Sequence, residues 1–259
     1  FTAFHPSGGT HHGRPDRAVG FCYFNDPAFA IRTLLDGGLA QVGYVDLDAH
    51  HGDGVERLFA DEARVMTLSI HEEDRWPHSG QESDPGRGIY NLPVPRGFHD
   101  AELDFLVENV LLPLLSEAEI EGLVLCCGAD CLAGDPLSGM ALSNVSLWRA
   151  VDILLALGVP TVVLGGGGYN PWTLTRYWAG LWATLAGETI PGALPEAARE
   201  MLRNMECDLV DDEDRDPSWL TSMADTPYSA PVRDSIKSLA MSLRQVGHDA
   251  GARGKGDTP

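Results

Sequence analysis

Asp46-Leu47-Asp48-Ala49-His50-His51-Gly52-Asp53-Gly54 follows directly on the apolar run Val42-Gly43-Tyr44-Val45. Three carboxylates and two imidazoles therefore fall within eight residues. In an extended strand successive side chains alternate faces, so Asp46, Asp48 and His50 are expected to project to one side. A carboxylate and an imidazole two residues apart at a strand's carboxyl end can share one divalent cation. The remaining acids are then free to fix ring orientation and tautomer from behind. The competing reading is an acidic loop with solvated charges. Charges set directly against an apolar strand are seldom left unpaired, which favours the metal site.

Outward from this segment the chain alternates strands and helices. Helical spacing runs from Asp26 to Leu39 and stops at Gly37-Gly38. Strands are expected at 42–47, 64–70, 122–127 and 160–164, with helices at 53–60, 101–116, 145–157 and from an Asn170 cap to about Leu185. Residues 1–20 and 71–89 read as loops, the second long enough to be functional. Strands apolar on both faces, separated by helices, predict a three-layer α/β fold with a mostly parallel sheet covered on both sides. In such sheets ligands bind beyond the carboxyl ends of the strands. Every polar cluster of this sequence falls there.

The whole is read as one catalytic domain over residues 1–247, followed by a disordered Gly/Asp-rich tail over 248–259. Asp208 to Asp216 is a solvated charge run, and 232–244 a candidate helix. The chain opens at Phe1 without a methionine, and its first residues already read as a functional loop, as in a piece whose beginning lies upstream.

Composition narrows the partners. The chain has 259 residues, 38 acidic against 18 basic, and a formal charge of -20. A nucleic-acid backbone is repelled overall, whereas lysine-rich peptides or polyamines are drawn in; solubility alone is the plainer reading of the same charge. Five cysteines lack the spacing of a zinc ribbon or a disulfide framework, and the adjacent pair Cys126-Cys127 lies in an apolar strand. With no signal peptide and no run long enough to span a bilayer, a soluble cytoplasmic protein is expected. Nothing in the sequence sets an oligomeric state.

Four further clusters carry chemistry. Ser7-Gly8-Gly9-Thr10-His11-His12 presents two adjacent imidazoles, suited to acid–base work beside a metal, with Asp46 and Asp53 available to orient them. Asp130, just past strand 122–127, is preferred to Asp135 as a third ligand beside Asp48 and His50, since Asp135 precedes a proline and reads as a turn former. Three protein ligands with an open position suit a catalytic zinc. Gly165-Gly166-Gly167-Gly168 matches no phosphate-loop spacing and reads as close backbone approach, with Tyr169 at the rim as an oxyanion donor or a packed ring. Phe21 and Trp76 are candidate walls of a slot for an aliphatic chain, or core.

Together, Gly8-Gly9-Thr10-His11-His12, Gly20-Phe21-Cys22-Tyr23-Phe24-Asn25-Asp26, Asp46 to Gly54, Gly128-Ala129-Asp130 and Gly165 to Tyr169 resemble the zinc-dependent histone deacetylase family. That family includes acetoin-utilisation proteins and acetylpolyamine amidohydrolases, and has an arginase/deacetylase-like fold. The resemblance implies zinc, or ferrous iron, on Asp48, His50 and Asp130. It implies His12 as principal general base and acid backed by Asp53, His11 backed by Asp46, and Tyr169 polarising the acyl carbonyl. Phe21 and Trp76 would wall the acyl-lysine tunnel, with Gly20, Leu137 and Gly167 beside the substrate. A structural potassium would use Asp46, the backbones of Asp48 and His50, Ser69 and Ile70, and a second the carbonyls near Phe59, Glu62 and Val65. The implied activity is removal of acyl groups from lysine side chains of proteins or peptides, the alternative being acetylated polyamines or other small amides. Leu137 stands where a polyamine-selective relative carries an acid, which leans towards acyl-lysine. Ureohydrolases of the arginase kind share the Asp-x-His pattern but need a two-metal cluster with more carboxylates. Two departures stand out: family members carry strands and an acidic substrate-gripping loop ahead of the His-His motif, and Trp76-Pro77-His78-Ser79-Gly80 differs from their usual Phe-Pro-Gly-Thr-Gly.

Overall fold

The computed structural model describes residues 1–228 and 230–254. Six strands form its central sheet: β1 (Thr2–His5), β2 (Val42–Asp46), β3 (Val65–Glu72), β4 (Ile89–Val94), β5 (Gly122–Cys126) and β6 (Thr161–Leu164). Their spatial order is β1-β6-β5-β2-β3-β4, and every ladder is parallel.

The twofold alternation of strand side chains divides the interior into two cores. Val42, Tyr44, Val124, Cys126 and Leu164 face one side, where Ile31, Leu34 and Leu35 of α1 (Asp26–Asp36) and Val55 of α2 (Asp53–Phe59) cover them. Val45, Leu68, Leu123, Leu125 and Val163 face the other. That larger core is closed by α3 (Asp100–Leu106), which runs through a π turn at Val107–Leu111 into α4 (Leu112–Glu117). It is completed by α5 (Asn144–Leu155), α6 (Pro171–Ala186), α7 (Glu196–Arg203) and α8 (Asp234–Gly254). Three layers with a parallel sheet in the middle are what the strand and helix pattern predicts. Among the described residues no helix is long and apolar enough to cross a membrane.

Asn170 caps α6 through Trp172 N and Thr173 N, as expected, and Asn25 caps α1 by accepting from Ala28 N at 3.0 Å. Gly187, at φ 68°, ends α6 in the left-handed conformation.

Three expectations are corrected. Thr2–His5 lies inside the predicted first loop yet pairs with β6 as an edge strand; its side chains are largely exposed, so no apolar alternation marks it. Ile89–Val94, left between a loop and a helix in the sequence reading, is the opposite edge strand, where Pro93 is tolerated. The single helix expected at 101–116 contains the π turn. α8 runs on to Gly254, past the position 248 at which the tail was expected to begin. Residues 255–259 lie outside the described residues.

Candidate active site

The carboxyl ends of β2, β5 and β6 carry the site. Beyond Asp46 the chain leaves the extended conformation and bends through 48–50. Asp48, His50 and Asp130 then converge, with one candidate ligand atom from each lying within 4.8 Å of the others. His50 Nδ1 is 2.9 Å from Asp130 Oδ2 and 3.2 Å from Asp48 Oδ1. Zinc bonds of about 2.0–2.2 Å in a tetrahedron separate neighbouring donors by roughly 3.3–3.6 Å, so the three donors need to spread by only a few tenths of an ångström to share one ion. Asp46 stands one step further from this cluster: its carboxylate meets His11 Nδ1 at 2.7 Å and accepts from Asp48 N at 3.1 Å.

The electrostatics fit a cation as well. Asp48 and Asp130 are buried, and their ion-pair partners among the described residues are histidines. Burial and then repulsion by Asp48 push the Asp130 carboxyl up to about 7. Burial works against the Asp48 anion too, but His11 and His50 hold it well below the usual carboxylate range. Burial pulls the His50 imidazole down, yet its hydrogen bonds to Asp130 and Asp48 raise it to about 10. Two buried carboxylates facing one imidazole form a site short of positive charge, which a divalent metal supplies.

The glycines make this convergence possible. A Cβ on Gly167 would sit 2.1 Å from Asp130 Oδ2, and one on Gly128 would sit 2.1 Å from Asp48 Oδ2. With no side chain in the way, Gly167 N donates to Asp48 Oδ2 at 2.7 Å. The four-glycine run thus serves close backbone approach.

His11 and His12, both buried, lie across from the carboxylates with their Nε2 atoms 3.0 Å apart. His11 Nδ1 is 2.7 Å from Asp46 Oδ2, and His12 Nδ1 is 2.7 Å from Asp53 Oδ1. Burial alone would lower His11, but Asp46 and Asp48 raise it to about 9. Burial and the charge on His11 lower His12 to about 4, against the pull of Asp53. One ring of the pair is therefore held charged and the other neutral.

A cavity of about 100 Å³ bordered by Asp48, His50, Asp130, His12 and Tyr169 adjoins a wider pocket of about 560 Å³. Phe21, Trp76, Leu137 and Tyr169 line the wider pocket, with Gly20 between the two. The Phe21 and Tyr169 rings are 6.1 Å apart, and Trp76 meets the His12 ring edge-on at 4.6 Å. Gly20, at φ +55°, is required there: a Cβ would come within 2.4 Å of Trp76 and 2.6 Å of His12. Ser69 lies opposite Asp46 in the β2–β3 register, and Ile70 follows it into the larger core.

Several supporting residues escaped sequence reasoning. Tyr44 donates its hydroxyl to Asp46 Oδ2 at 2.5 Å, and the Arg14 guanidinium pairs with Asp53. Asn25 Nδ2 donates to the carbonyls of His11 and Gly13, while Asp26 accepts from Gly9 N and Thr10 N, so the loop bearing both histidines is tied to the start of α1. Asp135, read as a turn former, does accept from Leu137 N. It also accepts from Tyr169 N at 2.7 Å and Asn170 N at 3.3 Å. Period-two strand alternation could have flagged Tyr44 as a same-face neighbour of Asp46. No local pattern could have flagged the long-range partners.

The histone deacetylase domain matches residues 1–185, and the chain belongs to the histone deacetylase family. It is 37% identical over 196 residues to histone deacetylase 8 of Xenopus laevis, covering 73% of this chain and 60% of that protein. It is 36% identical to histone deacetylase clr6 of Schizosaccharomyces pombe, over 73% of this chain and 48% of that one. The chain thus spans about half to three-fifths of the length of these relatives. The crystal structure of a histone deacetylase homologue from Aquifex aeolicus superposes with a TM-score of 0.87 at 36% identity, covering 93% of this chain and 67% of that one. A homologue complexed with SAHA gives 0.85 at 34% identity, with the same coverage.

Proposed function

We propose that this protein is a zinc-dependent amidohydrolase that removes acetyl or similar acyl groups from lysine side chains. The observation that carries the reading is the facing of two units across one small cavity. On one side stand Asp48, His50 and Asp130; on the other, two imidazoles in contact, each backed by its own carboxylate.

Asp48, His50 and Asp130 would hold the metal, which when bound polarises the acyl carbonyl and lowers the pKa of an adjacent water to about 7. His12, kept neutral, accepts the water's proton as it attacks and then delivers it to the departing lysine amine. Asp53 fixes the His12 tautomer, and Arg14 holds Asp53 in place. His11, kept charged by Asp46, supports negative charge beside the acyl carbon. The Tyr169 hydroxyl, whose ionisation burial and then Asp130 push far above neutrality, stays protonated and donates to the acyl oxygen. Phe21, Trp76 and Leu137 enclose the aliphatic stem of the acyl-lysine, with Gly20 and Gly167 giving it room.

Ferrous iron suits the same donors. A potassium ion is assigned to Asp46, the Asp48 and His50 backbones, Ser69 and Ile70, as a structural ion behind the site. The catalytic domain is taken as residues 1–247, acting in the cytoplasm. Acetylated polyamines form the second reading, favoured by Glu73 and Asp74 at the pocket and by the charge of -20.

The test is acetate release from an acetyl-lysine peptide by the zinc-loaded chain, with a chelated control and an acetylated diamine alongside. Chelator-sensitive release from the peptide supports the leading reading. Faster release from the diamine transfers the assignment to polyamines, and no release from folded, zinc-loaded protein overturns both.

A further inference from the structure

Two of the pocket's walls come from loops distant in sequence. Trp76 belongs to the loop after β3, and Leu137 to the loop after β5. Neither loop carries regular structure that would set its distance from the other.

One side-chain pair joins them. Glu72, the buried last residue of β3, accepts through Oε2 from Arg75 Nε and from Gly139 N, the latter at 2.7 Å. Arg75 Nη1 donates to the Leu137 carbonyl at 2.7 Å. The Glu72 backbone N–H donates to the Ala49 carbonyl at 2.9 Å, which roots the pair beside His50. The far end of the first loop is anchored separately: Ser79 Oγ lies 2.8 Å from His51 Nδ1, and Gly80 O accepts from His71 Nε2 at 2.9 Å. Trp76 is therefore suspended between two anchors, of which the Arg75 anchor also reaches the opposite wall.

We propose that Glu72 and Arg75 form a clamp that fixes the gap between Trp76 and Leu137, and so sets how tightly the pocket grips an acyl-lysine stem. This rests on the acyl-lysine reading above. Arg75 is a positioning residue, acting through the two walls. A planar guanidinium satisfies the Glu72 carboxylate and the Leu137 carbonyl together; a lysine ammonium on a flexible stem holds one at a time. Without Arg75, the buried Glu72 carboxylate loses its paired cation and the walls are free to part. The stem touches Trp76 and Leu137 alike before and during reaction, so loosening them weakens uniform binding and raises KM rather than lowering kcat. His12 keeps its own support through Asp53, which the clamp does not touch.

The experiment measures kcat and KM for acetyl- and butyryl-lysine peptides with the zinc-loaded full chain, comparing wild type, Arg75→Met and Arg75→Lys. Arg75→Met is expected to raise the KM for both peptides about 10-fold, since they share the same stem, with kcat within about 3-fold. Arg75→Lys is expected to recover part of the loss. An unchanged KM, or a fall in kcat at constant KM, overturns the clamp. Hydrogen–deuterium exchange supplies a readout independent of turnover: Arg75→Met speeds exchange in 73–78 and 136–140 together. Faster exchange in only one segment, or in neither, overturns the clamp. An inactive wild type defeats the acyl-lysine reading on its own and leaves the exchange result to decide the clamp. If Arg75→Met does not fold, Glu72→Gln carries the same measurements, with smaller changes in the same direction.

Discussion

His11 and His12 touch through their Nε2 atoms at 3.0 Å, while their Nδ1 atoms point to different carboxylates, Asp46 and Asp53. Two protons on facing nitrogens so close would repel, so the pair settles with His11 charged and His12 neutral. His12 is thus the ring free to take a proton. His12→Ala is expected to lower kcat by about 100-fold to 10,000-fold while zinc content stays at the wild-type level. Steady-state rates and metal analysis on one preparation check both halves, and near-wild-type turnover would remove His12 from the mechanism.

The approach of Gly167 to Asp130 makes a sharper claim about metal binding. A methyl group at 167 would stand 2.1 Å from Asp130 Oδ2, a separation that forces either the carboxylate or the 165–168 backbone to move. Gly167→Ala is therefore expected to weaken zinc binding about 10-fold or more, in the range seen when support around a metal ligand is lost. Gly192→Ala is the control, since a methyl group there would meet nothing within 4 Å. Zinc titration against a competing chelator separates the two variants, and equal affinities would refute the crowding argument.

Tyr169 depends on Asp135 for its place. The Asp135 carboxylate accepts from the Tyr169 and Asn170 amides and from Leu137 N, so one side chain holds the phenol's backbone and the start of α6. Asn at 135 presents an amide group towards one of these donors. Tyr169→Phe is expected to cost about 100-fold in kcat as an oxyanion donor is lost, and Asp135→Asn about 10-fold through misplacement of the same group. In the double variant the two losses should not add, because both act on one hydroxyl. Additive losses would separate Asp135 from Tyr169.

How much was legible follows from how far each interaction reaches along the chain. Asp48 and His50 stand two residues apart after an apolar strand, and His11 and His12 are adjacent, so short spacing revealed their chemistry. The central strands were readable because both faces are buried. β1 and β4 were not, since edge strands lack that two-sided pattern and β4 carries Pro93. Asp46 and Asp48 lie against the same His11 ring, as the two-residue spacing along the strand leads one to expect. Arg14, Asp135 and Arg75 act on residues 39, 34 and 62 positions away, a distance at which no periodicity carries information.

Far from the site, Arg233 grips Glu102 with two charge-assisted hydrogen bonds, Nε to Oε1 at 2.6 Å and Nη2 to Oε2 at 2.5 Å. Arg233 N also donates to Oε1 at 3.1 Å, so the residue just before α8 is pinned to the first turn of α3. Burial would raise the Glu102 carboxyl, but Arg233 holds it below its ordinary value. A depressed carboxyl stabilises the fold above its unfolded pKa of about 4, and the contribution disappears as pH falls through the folded value. Breaking a buried pair costs about 3–5 kcal/mol; with the Arg233 side chain 35% exposed, solvent screening reduces that to about 2 kcal/mol. Arg233→Met should therefore destabilise the protein by that amount at pH 7, by denaturant melts, and by progressively less below pH 4. A deficit independent of pH would mean that Arg233 contributes through packing of its stem rather than through its charge.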